Sequence, residues 1–313
     1  MKKPLIIIVG PTAVGKTKIS IEVAEKINGE IISADSMQIY KYLNIGSAKP
    51  SKEELSRVKH YLVDEIDPKT KFSVSEYKQM AQKYIDKILS KNKLPVVTGG
   101  TGLYVNSLIY DMDFSNTSAN PKLRKELEEL QKNYGKKYLH RKLEEVDSNA
   151  AKRIHPNNVK RVIRALEVFY TTGKNLKDFS RDLKKTNKYE YVLIGLNRDR
   201  KKLYERINKR VDIMFDMGLV DEVANLLSMG LTEDDISMKG IGYKEVIGYI
   251  NGEYSLEVAK ELVKRNTRRY AKRQLTWFRR YDDIKWYNII EKSDENKLVS
   301  DIIDFVEGKI KFI

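Results

Sequence analysis

Short apolar runs alternate with stretches of helical spacing over the first hundred residues. Residues 5–9, 30–34 and 94–97 are rich in β-branched side chains and are predicted to be buried strands. Residues 17–27 and 73–91 instead repeat their apolar side chains at the spacing of one helix face. Strand–helix–strand units of this length predict a parallel sheet with helices on both faces.

The pattern changes after residue 112. Residues 113–121 are polar and are predicted to be a linker, and residues 122–172 are strongly charged with apolar side chains at helical spacing. A lysine-rich polar stretch then runs to Lys188. Residues 189–196 are predicted to rejoin the sheet as a strand, and the remainder of the chain is predicted to be helical.

The segment that follows the first strand matches the phosphate-binding pattern G-x-x-x-x-G-K-[ST]. Its residues are Gly10, Pro11, Thr12, Ala13, Val14, Gly15, Lys16 and Thr17. Glycines let the backbone turn its N–H groups inward, the following helix adds its positive end, Lys16 reaches phosphate oxygens and Thr17 can ligate Mg²⁺. The position between a strand and a helix favours a phosphate site over a plain structural turn.

These observations together predict an α/β protein, a P-loop parallel sheet flanked by helices and carrying a helical insertion. We expect the core to be formed by residues 1–112 and 189–313, and the insertion by residues 113–188.

Polar side chains follow each of the first three predicted strands. Ligands of such sheets bind at the carboxyl ends of the strands, so the loops 10–17, 35–38 and 98–102 should open onto one crevice. Asp35 could act there as a general base or a magnesium ligand, or it could simply cap the next helix. The Gln38 amide suits a hydrogen bond to a base edge, and Thr101 stands among glycines that allow close approach of a ligand.

Composition narrows the classes of function. The chain of 313 residues carries a formal net charge of +15 and has no cysteine and only three histidines. Disulfides, thiolate zinc sites and cysteine nucleophiles are therefore excluded, and the scattered histidines do not have metal-ligand spacing. No apolar stretch has the length of a membrane span and no leader segment is predicted, so we expect a soluble, cytoplasmic protein that does not bind membranes.

The positive charge is concentrated near the C-terminus. Residues 262–281 contain eight basic side chains and no acid: Lys264, Arg265, Arg268, Arg269, Lys272, Arg273, Arg279 and Arg280. On a helical projection they occupy one arc, opposite an apolar one, and like charges crowded this way favour an anionic partner. Trp277 could stack on a base or wedge the helix against the sheet. Arg124 and residues 160–164 give the insertion a basic surface too, which together indicates nucleic-acid binding.

Two other classes of enzyme fit part of this pattern. A kinase of a small metabolite or nucleoside would share the P-loop and could use Asp35, but it would have no use for basic helices; consumption of ATP distinguishes it. An RNA-binding NTPase would need a separate strand ending in an Asp-Glu pair, which the sequence does not offer. Arg210, on a predicted helix, is best interpreted from the sequence alone as a solvated arginine.

Six segments in order along the chain resemble those of the tRNA dimethylallyltransferases, the bacterial tRNA isopentenyltransferase family. They are residues 10–17, 35–40, 46–50, 99–104, 161–167 and 273–277, and the resemblance extends to about residue 281. Residues 155–158 depart from the Asp-Pro spelling expected before the basic helix of the insertion. The segment Ile241-Gly242-Tyr243 also fits the family, but the sequence does not explain its role.

The resemblance implies transfer of a dimethylallyl group from dimethylallyl diphosphate to N6 of adenosine 37, in the anticodon stem-loop of tRNA, with release of diphosphate. It implies that residues 10–17 and Arg210 hold the diphosphate, that Thr17 binds Mg²⁺, that Asp35 accepts the N6 proton and that Thr101 contacts the adenosine or the leaving group. We also expect a monomer. The implied tRNA contacts are Asp35, Ser36, Met37, Gln38, Thr101, Arg124, Lys160, Arg161, Val162, Ile163 and Arg164, to which the basic arc adds Arg268, Arg269, Lys272, Arg273 and Trp277.

Overall fold

The computed structural model of the chain describes residues 2–112, 120–175, 184–290 and 295–310. Within it the chain forms two compact units, one made of residues 1–109 and 186–313 and the other of residues 110–185. The insertion expected at residues 113–188 corresponds to the second unit. The predicted linker and the lysine-rich stretch fall largely on residues 113–119 and 176–183, outside the described residues.

The first unit is built on a parallel sheet, which confirms the predicted α/β class. Its strands are β1 (Lys3–Val9), β2 (Gly29–Ser33), β3 (His60–Tyr61), β4 (Leu94–Gly99), β5 (Tyr189–Asn197) and β6 (Ile284–Asn288), in the spatial order β3-β2-β4-β1-β5-β6. The pairings of β1 with β4 and with β5 are both parallel, with Ile6 opposite Val96 and Val192. The central strand β1 is buried on both faces, which explains its continuous apolar run.

Helices cover the sheet of this unit. They are α1 (Lys16–Lys26), α2 (Lys52–Arg57), α3 (Val74–Leu89), α4 (Gly102–Ile109), α8 (Arg200–Asp216), α9 (Leu219–Ser228), α10 (Tyr243–Ile250), α11 (Leu256–Phe278) and α12 (Glu295–Glu307). Side chains Ile6 and Ile8 of β1 share one buried cluster with residues of α1, α8 and α12. The alternation of side chains along a strand leaves Ile7, also fully buried, for the opposite face.

The prediction that the chain is helical after residue 196 is wrong at one place. Residues 284–288 form β6, which adds to the edge of the sheet with Leu193 opposite Ile284 and Asn197 opposite Asn288. The segment alternates charged, aromatic and polar residues and is only partly buried, because an edge strand has neighbours on one side alone. It therefore has no continuous apolar run to mark it. The two-residue strand β3 is too short to give any pattern.

The second unit is helical, with α5 (Pro121–Val146), α6 (Ser148–Arg153) and α7 (Val159–Thr172). Asn120 caps the start of α5, and the helix is interrupted at Gly135, where φ is 82° and ψ is 167°. Helix α7 ends at Gly173, whose left-handed backbone provides the stop. The core of the unit contains Leu127 of α5 and Val162, Ile163 and Leu166 of α7.

Candidate active site

The P-loop occupies the turn between β1 and α1. Ala13 and Gly15 have left-handed backbones, with φ of 62° and 113°, and a left-handed conformation is the reason a glycine suits the second position. Gly15 is the N-cap of α1 and makes no side-chain cap hydrogen bond, so the N–H groups of the first helical turn are not satisfied by a cap. This arrangement offers an anion both free donors and the positive end of the helix dipole.

Lys16 lies against this loop. Its Nζ donates hydrogen bonds to the carbonyl oxygens of Gly10 and Pro11, each at 2.9 Å. Burial lowers the pKa of Lys16 to about 8; the negative charge of Asp35 opposes the shift and the positive charge of Arg210 adds to it. A buried ammonium group with a lowered pKa gains from an anion in the loop, because the anion favours the charged form.

Two arginines of α8 reach the P-loop from the other side. Arg206 donates from Nε to the carbonyl oxygen of Ala13 at 3.0 Å, and Nη1 of Arg210 lies 3.5 Å from Oγ1 of Thr12. Burial lowers the pKa of Arg210, with Asp35 opposing the shift. The interpretation of Arg210 as a solvated residue, made from the sequence alone, is therefore wrong. The four-residue spacing on α8 brings both side chains to one face, a signal that was present in the sequence.

Asp35 follows β2 and shapes the next turn. Its Oδ1 accepts hydrogen bonds from the backbone N–H groups of Met37 at 2.9 Å and Gln38 at 3.3 Å. The prediction that Asp35 could cap the next helix is thus partly met: Oδ1 caps the turn at residues 37–38, but not helix α2. Among the described residues, Oδ2 has no hydrogen-bond partner, so the carboxylate keeps an oxygen for a proton. One oxygen fixes the group and the other is available for chemistry.

Thr101 and Gln38, which were predicted to contact a ligand, form hydrogen bonds with neighbouring loops of the protein. Thr101 Oγ1 accepts a hydrogen bond from the Ser36 N–H at 3.1 Å, which ties the β4 loop to the β2 loop. Gln38 donates from Nε2 to the Ala48 carbonyl oxygen at 3.0 Å and lies within 3.4 Å of the Ser47 carbonyl. The Gln38 amide that was predicted to read a base edge is thus engaged within the protein. A ligand contact by Thr101 or Gln38 stays a prediction.

Two cavities meet at Asp35. The larger, of about 580 Å³, contains the P-loop and the end of β4, and the smaller, of about 340 Å³, contains Ser36, Met37 and apolar side chains of α8. The residues that line both are Thr12, Asp35, Ser47, Arg210 and Tyr270. The convergence of the three strand-end loops on one crevice, predicted from the sequence, is confirmed. A carboxylate therefore lies where a phosphate-binding cavity joins a second, more apolar one.

Helix α11 supplies a residue that the sequence reasoning missed. The Gln274 side chain is 5% exposed; its Oε1 accepts from the Thr12 N–H at 2.8 Å and its Nε2 donates to the Gly100 carbonyl at 3.0 Å. One amide thus joins the P-loop to the loop after β4. Tyr270, one turn earlier, lines both cavities, and burial together with Asp35 raises its pKa to about 12. The only signal for Gln274 was its place inside the segment 273–277.

The basic side chains on the outer face of α11 differ in whether they have partners within the protein. Lys264 pairs with Asp212 at 2.7 Å, and Arg268 donates to the Asn208 side chain at 2.6 Å, so both side chains already have partners on α8. The interpretation of the whole arc as unpaired charge is wrong at Lys264, because helix α8 lay outside the helical projection, whereas Arg268 bonds a neutral amide and, among the described residues, keeps its charge unpaired. The exposed members predicted to contact tRNA are Arg269, Lys272 and Arg273.

Trp277 is half-buried at the edge of this face. Its indole packs so close to Gly102 that a β-carbon there would lie 2.2 Å from it, and the Arg280 guanidinium lies over its ring. This contact supports the wedge interpretation of Trp277. Stacking of a nucleic-acid base on Trp277 stays a prediction.

Charged contacts in the helical unit are centred on a buried acid. Glu167 is fully buried and accepts hydrogen bonds from Arg124 Nε at 2.8 Å, from Arg164 Nη1 and from the Asn120 N–H at 2.8 Å. Burial alone would raise the pKa of Glu167, but the two arginines outweigh it and lower the pKa. Arg124 and Arg164 are thus held in fixed positions.

Two of the predicted tRNA contacts in this unit need correction. The side chains of Val162 and Ile163 are 1% and 5% exposed and belong to the core of the unit, so they cannot offer a surface to tRNA. Helical periodicity turns positions 162 and 163 inward while it turns Lys160 and Arg161 outward, where both are exposed.

The fold and the site define a P-loop phosphate-binding enzyme that has a carboxylate beside its phosphate cavity. A family model described as "IPP transferase" matches residues 38–281. The chain belongs to this family, so it is a transferase, and these similarities favour transfer of a prenyl group over the phosphoryl transfer of a kinase.

Relatives match over nearly the whole chain. A tRNA dimethylallyltransferase of Clostridioides difficile is 56% identical over 312 residues, covering 99% of this chain and all of that protein, and one of Alkaliphilus metalliredigens is 54% identical over 308 residues, covering 98% of both. Among solved structures, the full-length tRNA isopentenylpyrophosphate transferase of Bacillus halodurans shares 44% sequence identity with this chain. Its crystal structure superposes with a TM-score of 0.75 and covers 98% of this chain and 97% of that one. A eukaryotic dimethylallyltransferase, captured acting on tRNA, has a TM-score of 0.84 at 28% identity, covering 99% of this chain and 81% of that one.

Proposed function

We propose that this protein transfers a dimethylallyl group from dimethylallyl diphosphate to N6 of adenosine 37 in the anticodon stem-loop of tRNA and releases diphosphate. The observation that carries the proposal is the position of Asp35, which lines both the P-loop cavity and the smaller neighbouring one. A general base for this reaction must lie between the leaving group and the nucleophile. The names of the relatives support the same reaction class.

The larger cavity suits a diphosphate ester. Its lining includes the cations Lys16, Arg206, Lys209 and Arg210, with Lys18 at its edge paired to Glu295, against the acids Asp35 and Glu54. An excess of positive charge in a partly closed cavity stabilises the charge that develops on the leaving oxygen. In this proposal the loop 10–17 holds the diphosphate, while the smaller cavity offers apolar walls such as Val211 and Met214.

The chemistry balances with Asp35 as the base. The N6 nitrogen of adenine forms a bond to C1 of the dimethylallyl group, the C1–O bond breaks and its electron pair leaves with diphosphate. The N6 proton passes to the Asp35 carboxylate. Because the N6 lone pair is delocalised into the ring, proton removal by a positioned base assists the attack, with a typical effect of about 10²–10⁴-fold.

The residues around the P-loop also fit a magnesium ion. Thr17 lines the larger cavity, and Thr98, at the end of β4, lines it with a buried Oγ1 that has no hydrogen-bond partner among the described residues. A buried hydroxyl without a partner is unusual and suits a ligand or a metal-bound water. Thr17 would hold Mg²⁺, which when bound would neutralise charge on the diphosphate.

Exposed basic side chains on both units support tRNA as the acceptor. They are Arg269, Lys272 and Arg273 on α11, and Lys160 and Arg161 on α7. Such residues bind phosphates of the RNA backbone, which gives affinity without reading sequence. Moving the target base out of its stack costs about a few kcal/mol, which these contacts can offset.

The test is direct. The purified protein is incubated with unmodified tRNA and dimethylallyl diphosphate labelled in its prenyl group, and the RNA is digested to nucleosides. We expect the label in N6-dimethylallyladenosine, and a parallel digestion of the RNA with a base-specific ribonuclease should find it in the oligonucleotide that contains position 37. Label in another nucleoside, or none in tRNA under conditions where a relative from this family is active, would contradict the proposal.

No helix among the described residues is long and apolar enough to cross a bilayer. A cytoplasmic location and a monomeric state stay predictions.

A further inference from the structure

A carboxylate far from Asp35 in the sequence holds one wall of the site. Glu222, on α9, accepts hydrogen bonds from three consecutive backbone N–H groups: Asn44 at 2.9 Å, Ile45 at 2.8 Å and Gly46 at 3.1 Å. Charged acceptors make the stronger hydrogen bonds of proteins, and three in a row fix a backbone segment. Glu222 therefore determines the conformation of residues 44–46.

Tyr243 secures the same segment from α10. Its hydroxyl donates to Glu222 Oε1 at 2.8 Å and accepts from the Ser47 N–H at 3.1 Å, and its ring is fully buried. The ring lies so close to the loop that a β-carbon on Gly46 would be 2.6 Å from it, so only glycine permits this contact. These contacts give the segment Ile241-Gly242-Tyr243 the role that the sequence did not explain.

The loop needs this support because its backbone is strained. Tyr42 and Ala48 have left-handed φ angles of 67° and 48°, which cost a non-glycine residue of order 1 kcal/mol each. Strain of this kind persists only where surrounding contacts impose it. Glu222 and Tyr243 are contacts of that kind, at the centre of the strained segment.

The held loop in turn fixes the turn that carries the base. Ala48 and Ser47 present their carbonyl oxygens to the Gln38 amide, at 3.0 and 3.4 Å, and the Gln38 backbone N–H donates to Asp35 Oδ1 at 3.3 Å. Ser47 also lines both cavities beside Asp35. Hydrogen bonds joined by short covalent segments, residues 44–48 and Gln38 itself, thus connect Glu222 to Asp35.

We propose that Glu222 and Tyr243 are positioning residues for prenyl transfer: they hold residues 44–48 against Gln38 and so place the Asp35 carboxylate. Neither residue lines either cavity among the described residues, so their effect must pass through the loop. The inference rests on the proposed function for its reaction, but the hold on the loop can be measured without it. Loss of these contacts should slow the chemical step and leave donor binding unchanged, because the P-loop is not among the residues that connect Glu222 to Asp35.

The test compares Tyr243→Phe with Tyr254→Phe. Each change removes one tyrosine hydroxyl; that of Tyr254 bonds the Glu245 carbonyl at 2.8 Å and does not reach the loop. We expect Tyr243→Phe to lower kcat about tenfold and leave the KM for dimethylallyl diphosphate within about twofold, while Tyr254→Phe leaves kcat within about twofold. Glu222→Gln, which sets an amide against three N–H donors, should lower kcat further, and Glu222→Asp should restore part of it.

Hydrogen exchange of the free protein measures directly how firmly the backbone of residues 44–47 is held. The amides of residues 44–47 should exchange about tenfold faster or more in Tyr243→Phe and Glu222→Gln than in Tyr254→Phe. Equal exchange, or faster exchange with a kcat equal to that of Tyr254→Phe, would overturn the inference. So would a loss of kcat that is matched by weaker donor binding and a lower Tm. If the wild-type protein transfers no prenyl group, the proposed function fails, and exchange still decides whether these residues hold the loop.

Discussion

The Gln274 side chain offers a sharp test of how the site is assembled. Replacement of Gln274 by leucine roughly keeps the volume of the side chain but leaves the part-buried Thr12 N–H and the buried Gly100 carbonyl without the partners they have at 2.8 and 3.0 Å. A buried polar group left unsatisfied costs about 1–3 kcal/mol; the Gly100 carbonyl incurs this cost, and the part-buried Thr12 N–H at the cavity wall incurs less. We expect a loss of about 3 kcal/mol in the free energy of unfolding. Because Thr12 belongs to the P-loop, affinity for dimethylallyl diphosphate should also fall by about tenfold.

A second substitution separates the two effects. Gln274→Glu can still accept from Thr12 but sets a carboxylate against the Gly100 oxygen and inside the P-loop cavity, which is proposed to hold the diphosphate. It should therefore weaken donor binding more than Gln274→Leu does. The assays are urea unfolding followed by circular dichroism and calorimetric titration with the donor, with Gln79→Leu, an exposed site on α3, as the control. Unchanged unfolding and unchanged donor affinity in Gln274→Leu would refute the reasoning.

Three further predictions test the other parts of the site. Asp35→Asn keeps an acceptor for the turn but removes the base, so kcat should fall by about 10²–10⁴-fold while tRNA affinity in a filter-binding assay is retained. Changing Arg269, Lys272 and Arg273 together to glutamine should weaken tRNA binding and reduce the slope of log affinity against log salt by about two units. Glu167→Gln should lower the unfolding free energy of the helical unit by about 2 kcal/mol at pH 7. Because the pKa of Glu167 is lowered from 4.5, this difference should be constant above that pH and shrink as the pH falls through the lowered value.

Each of these predictions has an outcome that contradicts it, and the basic face also has a matched control. For the basic face, the exposed lysines Lys26, Lys87 and Lys309 serve as a charge-matched triple away from the strand ends that form the site. An equal loss of salt dependence in both triples would mean that charge alone, and not its position, governs binding. Prenyl transfer at the wild-type rate by Asp35→Asn would remove Asp35 as the base. A stability difference that grows toward low pH would show that Glu167 is not held ionised by Arg124 and Arg164.

Patterns confined to one element were sufficient to predict the sheet core. The run at residues 5–9 and the motif at residues 10–17 are local, and both were located correctly along with the crevice they face. Strand β6 was missed because an edge strand that is only partly buried has no periodic signature. Where a pattern depends on which neighbour covers a face, the sequence alone does not provide it.

Some site residues were also missed because the sequence does not show which distant neighbour a side chain contacts. Arg210 was interpreted as solvated because its partner Thr12 lies nearly two hundred residues away, and Lys264 was counted as unpaired because Asp212 lies on another helix. Gln274 and Tyr243 act by reaching across the fold to loops whose positions no local pattern gives. Residues close to a motif in the sequence, such as Asp35, could be found from the sequence, whereas residues that reach across the fold to contact these loops needed the structure.

The central claim is that the P-loop holds the leaving group of a prenyl donor and transfers no phosphate. Its most direct measurement is a single turnover with tRNA and dimethylallyl diphosphate labelled in its terminal phosphate, followed by separation of the phosphate products. We expect one labelled diphosphate for each prenylated adenosine and no orthophosphate. Labelled orthophosphate, or a labelled phosphoryl group carried onto the acceptor, would contradict it.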